Sequence, residues 1–161
     1  MIQQMRTLLR LKELKEKDSL RVVNLRRQGL AAATEAAEQA AARVVASKAA
    51  FIRRENAVYE KVIGRVVDLI EIEEIKAKVV ALEKQHEILI DESQRADHVK
   101  ARAEVDLEAA LAALRKSMKD KDKYVILTDD LKQIADDEAS LREETEIEDL
   151  VGGRRKARGA S

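Results

Sequence analysis

Gly64-Arg65-Val66-Val67-Asp68-Leu69-Ile70-Glu71 is the stretch at which a chain of otherwise uniform helical character can reverse direction. Glycine takes the left-handed conformation that ends a helix at little steric cost. Asp68 and Glu71 have the spacing of a capping box: the Asp68 carboxylate accepts an early helical N–H, and the Glu71 side chain reaches back to the Asp68 amide. Between stop and start, β-branched Val66 and Val67 mildly disfavour helix. Long helix-favouring runs flank the stretch on both sides, and the whole sequence holds no proline. These signals predict an all-α fold, a long antiparallel two-helix coiled-coil hairpin forming a single domain over residues 1–151. Helix 1 is expected over about 2–63, the tip at 64–68, helix 2 over about 69–150, and a disordered basic tail over 152–161.

Working outward, a seven-residue step on the first arm lands on Ile2, Leu9, Glu16, Val23, Leu30, Ala37, Val44, Phe51 and Val58, apolar at every position but Glu16. A heptad stripe of this kind marks a helix that buries one seam against another helix. The companion stripe is patchier: Met5, Lys12, Ser19, Arg26, Ala33, Ala40, Ser47 and Arg54. On the second arm the same step gives Ile75, Leu82, Leu89, Ala96, Ala103, Ala110, Ser117, Tyr124 and Leu131, with Ser117 the polar exception. A tip at 64–68 pairs residues whose numbers sum to roughly 132, so Ile2 is expected to face about Asp130 and residues 131–150 to lack a partner helix. That end is acidic, with ten Asp or Glu between Asp129 and Asp149 against Lys132 and Arg142. Residues 31–50 hold eleven alanines, which favour helix and let a partner approach closely while burying little area. They suit a thin waist of the coiled coil or a shaft for a narrow channel.

Composition narrows the function classes. Charged residues make up 39% and aromatic residues 2%, with no Trp or Cys, so a compact core of large side chains, a disulfide and a thiolate metal site are all unexpected. The longest run free of charge is Gln28 to Thr34, far short of the ~20 apolar residues that span a bilayer; no membrane insertion is expected, and the opening Met1-Ile2-Gln3-Gln4-Met5-Arg6 offers no signal-peptide core. The 31 basic residues balance the 31 acidic ones, so no nucleic-acid partner is expected for the chain as a whole.

The sequence offers no catalytic, cofactor-binding or metal site. Its five glycines form neither G-x-x-x-x-G-K-[ST] nor G-x-G-x-x-G. His86 and His98 do not share a helix face as metal ligands at i, i+4 would, and His86 reads as a polar position in the seam. Acid pairs such as Glu73-Glu74 and Glu143-Glu144 fall on solvated helix, without the concave, desolvated site that enzymes need. The chain is therefore read as no enzyme and as needing no cofactor. Its first 27 residues carry eight Lys or Arg against three acids, making that end basic. A hairpin that satisfies its own seam is expected to be a monomer alone. The alternative is a purely structural spacer that dimerises through its stripes, and a third is a peripheral membrane or nucleic-acid binder using the basic tail.

The opening Leu8-Leu9-Arg10-Leu11-Lys12-Glu13-Leu14-Lys15, the tip at Val67-Asp68-Leu69, the run Val79-Val80-Ala81-Leu82-Glu83-Lys84 and the later Lys121-Asp122-Lys123-Tyr124-Val125-Ile126-Leu127 together resemble the YscO/FliJ family of type III secretion and flagellar export proteins, the YscO branch above all. The resemblance implies a non-catalytic, cytoplasmic stalk at the cytoplasmic face of the secretion apparatus. Such a stalk inserts into and stimulates a hexameric export ATPase, and engages secretion chaperones and the cytoplasmic domain of the export gate protein. It implies ATPase contacts at Arg6, Arg10, Lys12 and Arg21 on the first arm and Arg115, Lys116 and Lys119 on the second. It further implies a gate contact at Ile75, Val79, Leu82 and His86, where an aliphatic residue stands at the family's aromatic position.

Overall fold

The computed structural model describes residues 1–159 and contains two helices, α1 (Ile2–Glu60) and α2 (Leu69–Gly159), packed against each other as a helical hairpin. The turn begins at Lys61, three residues earlier than the glycine suggests. Val62 and Ile63 N–H groups both donate to the Tyr59 carbonyl at 3.0 and 3.1 Å, and the Arg65 N–H donates to Val62 at 3.2 Å. Gly64 sits third in the turn Val62–Arg65 with φ of 80°, the only positive φ among the described residues. A type II turn needs such a φ at that position, which is why glycine stands there.

Asp68 caps α2: the Glu71 N–H donates to Asp68 Oδ1 at 2.8 Å. The reciprocal half of the expected capping box does not form. Glu71 Oε2 instead faces Arg65 Nη2 at 3.9 Å, and this inaccessible oxygen has no hydrogen-bond partner.

Burial follows both stripes. Every position of the stepped series from Ile2 to Val58 and from Ile75 to Leu131 is buried or half-buried. On the companion stripe of α1 only Arg26 and Arg54 are exposed. The fully buried positions are small: Val23 at 0% exposure, then Ala33, Ala37, Ala40, Ala110 and Ser117. Stability therefore comes from many half-covered side chains rather than a dense centre, each contributing a fraction of the ~1.5–3 kcal/mol that full burial of an aliphatic side chain is worth.

The chain forms two compact units. One comprises Met1–Arg21 with the chain from Ala112 onward, and the other comprises Val22–Leu111. In the first, Lys12 meets Tyr124, Glu16 meets Lys121 and Ser19 meets Ser117. Falling numbers on α2 against rising numbers on α1 make the pair antiparallel, and in each pair they sum to 136 or 137 rather than the expected 132. In the second unit Ser47 and Phe51 both meet His86. These two pairs sum to 133 and 137, so His86 lies between two successive turns of α1. Residues 65–68, between the two helices, lie outside helix.

Two expectations about the C-terminal end change accordingly. Leu131 and Ala135 are half-buried, and continuous exposure begins at Asp136. The unpartnered segment thus starts at 136, where the next seam positions, Glu138 and Arg142, are no longer apolar. The helix also does not stop at Gly152-Gly153: α2 runs through both to Gly159, so the tail expected to be disordered is helical that far, and residues 160–161 lie outside the described residues. Neither glycine takes the positive φ of a helix stop, and the basic residues that follow suit the negative end of the helix dipole.

Candidate interaction surfaces

Polar residues on the seam are answered across it. Glu16 Oε2 lies 2.8 Å from Lys121 Nζ, with both side chains about three-quarters covered. That oxygen has no other partner, so the ion pair is its whole compensation. The contact raises the Lys121 pKa above 10.5; burial works in the opposite direction, and the charges of Glu16, Asp122 and Glu13 add to the rise. One turn away Ser19 Oγ and Ser117 Oγ lie 3.0 Å apart. On the other side the Lys12 ammonium stands 5.3 Å from the centre of the Tyr124 ring, within cation–π range. In the second unit His86 Nδ1 and Ser47 Oγ share a hydrogen bond of 2.9 Å, and the imidazole packs at 6.4 Å against Phe51.

The basic candidates divide on this geometry. Arg6, Arg10, Arg115, Lys116 and Lys119 are exposed and belong to the first compact unit. Arg21 is exposed too but is paired with Asp18 at 2.5 Å on its own helix. Lys12 is half-buried and committed to Tyr124. Sequence reasoning passed over Lys121, although Glu16 as the single charge on its stripe signals that a cation must lie opposite. The second candidate group, Ile75, Val79, Leu82 and His86, occupies half-buried seam positions of α2.

Leu82 also lines an open groove of about 420 Å³ in the second unit, which the sequence did not suggest. It is lined by the apolar Ala46, Ala50, Phe51 and Leu89 beside Leu82 and by Arg43, Arg53 and Arg54, with no acid among the lining residues. None of the three arginines forms an ion pair among the described residues. The alanines of α1 make the groove: a methyl opposite leucine leaves space that a larger side chain would fill.

Among the described residues, no three His, Cys, Asp or Glu side chains gather as metal ligands, and no helix is long and apolar enough to cross a membrane. What the fold offers is helix faces: exposed basic residues on both arms of the first unit, a groove lined by three arginines and an acidic unpartnered segment. These features define a helical-hairpin protein of the coiled-coil class whose surface chemistry is charge and small apolar patches. The family model of the type III secretion protein YscO matches residues 5–152, and the chain belongs to that family. Comparison with curated proteins and with solved structures gives no significant match.

Proposed function

We propose that this type III secretion protein is a non-catalytic stalk that inserts into the hexameric export ATPase at the cytoplasmic face of the apparatus and stimulates it. The same stalk would engage secretion chaperones and the cytoplasmic domain of the export gate. The observation that carries this reading is the co-location of Arg6 and Arg10 with Arg115, Lys116 and Lys119, all exposed, in one compact unit built from both arms. A shaft turning inside a ring has to avoid deep, specific packing that traps one orientation. Exposed charge contacts of ~1 kcal/mol or less each meet that need.

The test is stimulation of the purified cognate ATPase by the full chain. Arg6→Glu with Arg10→Glu, and separately Arg115→Glu with Lys116→Glu, should each abolish stimulation while leaving helicity unchanged. Lys12 is spared because its reversal would also break the contact with Tyr124. Binding by the wild type should weaken as salt rises to physiological strength, where exposed charges are screened over ~8 Å. Undiminished stimulation by both variants would remove these residues from the contact. The gate contact at Ile75, Val79, Leu82 and His86 would require the seam to open there, so binding of the gate domain should be accompanied by loss of amide protection around His86.

A further inference from the structure

We infer that the arginine-lined groove of one copy receives the acidic end of α2 from a second copy of this chain. Two separate features carry the inference. The groove is lined by the apolar Ala50, Phe51, Leu82 and Leu89 and the cationic Arg43, Arg53 and Arg54, with no carboxylate among its lining residues. The exposed segment beyond Ala135 has no partner helix, and it carries Ile147, Leu150 and Val151 together on one surface patch with Arg154. The spacing i, i+3, i+4 is that of an amphipathic helix laid into a groove.

At 100° per residue Glu143 falls among this apolar trio, and Glu144 and Glu146 flank it on either side. One face of the acidic segment therefore presents three aliphatic side chains and three carboxylates, with Arg154 a turn further along towards its C-terminal end. The groove presents apolar side chains and three guanidinium groups, which bind carboxylates bidentately. Ile147, Leu150 and Val151 remain 61, 68 and 47% exposed, so docking would remove apolar surface that the isolated chain leaves in water. The contact is small, and interfaces burying less than ~1,200 Å² are typically weak and transient. It meets only the outward edges of the seam residues Phe51, Leu82 and Leu89 and displaces none of them, so it leaves the hairpin of each copy intact. It is also independent of the ATPase reading, whose basic residues it does not touch.

Sedimentation velocity of the full chain at low ionic strength tests it. The wild type should sediment faster as its concentration rises, and this dependence should disappear when salt is raised to physiological strength. Arg43→Glu/Arg53→Glu/Arg54→Glu and Glu143→Lys/Glu144→Lys/Glu146→Lys should each lose self-association. Mixing the two variants should restore it, because the lysine-bearing end of one then meets the glutamate-bearing groove of the other. The neutral set Arg43→Gln/Arg53→Gln/Arg54→Gln should lose association without adding repulsion; all three side chains are exposed, and circular dichroism checks that helicity is kept. A wild type that stays monomeric at every concentration would overturn the inference, as would association indifferent to salt and to both reversals, which would point to exchange of seams. Failure of the mixture to reassociate would also overturn it. So would binding of an unrelated acidic peptide by a chain that does not bind itself.

Discussion

Two glycines in this chain have opposite meanings, and the difference is a single dihedral angle. Gly64 has φ of 80° and open space where a Cβ would stand, so Gly64→Ala meets no clash and suffers only the left-handed backbone penalty of about 1–2 kcal/mol. Gly29 lies inside α1 with equally open surroundings, so Gly29→Ala should instead stabilise by about 0.5–1 kcal/mol. Urea unfolding followed by helicity measures both, and a neutral Gly64→Ala would contradict the turn geometry. Asp68→Ala removes the α2 cap and should cost about 1 kcal/mol in the same assay. Lys121 adds a pH signature. Because its folded pKa is raised above 10.5 by the Glu16 contact, its contribution is complete below the unfolded value of ~10.4 and is lost as pH climbs through the folded value. The urea midpoint of the wild type should therefore fall more steeply above pH 10.5 than that of Glu16→Gln, and parallel curves would show that the pair contributes nothing.

Each helix is uneven along its length. On α1 the buried Ala33, Ala37 and Ala40 let α2 approach closely, so Ala37→Leu should overpack the seam and cost about 1–3 kcal/mol. The exposed Ala41 should accept the same change almost neutrally, which makes it the internal control. On α2 the boundary is at Ala135. Beyond it the helix has no partner, and isolated helix is only marginally stable in water. Amide exchange should be faster over residues 136–151 than over 75–115, with the step falling after Ala135 rather than after Asp130. Equal protection on both sides of that step in dilute protein would mean that something covers the acidic segment.

Taken entire, the fold is a matter of register. The chain contains no cysteine, so Ser19→Cys with Ser117→Cys introduces one possible pair, at positions whose hydroxyl oxygens lie 3.0 Å apart. This double variant should oxidise to an intramolecular disulfide that shifts mobility on a non-reducing gel without changing mass. Cysteines at Ser19 and Ala113, the pair implied by the register of 132, should react far less readily, since cross-linkable residues have Cα atoms within ~7 Å. The dilute chain should weigh about 18.1 kDa by light scattering at physiological salt, because each hairpin covers its own seam.

The turn begins at Lys61, a few residues before the stretch from Gly64 to Glu71 that announced it, and the heptad stripes were enough to predict which residues would be covered. Turn chemistry and helical periodicity are local properties, written within a few residues of where they act. Even some polar breaks were legible: Glu16, Ser117 and His86 stood out from their stripes. Their partners could not be read, because a heptad repeat looks the same after every shift of one repeat and cannot say what lies opposite. That depends on how far the chain travels between the helices, and the pairs of the first unit lie about a turn from the register the tip suggested. Only with the arms in place did Glu16 find Lys121, Ser19 find Ser117 and Ser47 find His86, pairs that exist across space and leave no mark of their spacing in the sequence. The arginine groove was hidden for the same reason. Arg43, Arg53 and Arg54 are ordinary surface residues of α1 until Leu82 and Leu89 arrive from α2 to line the groove with them.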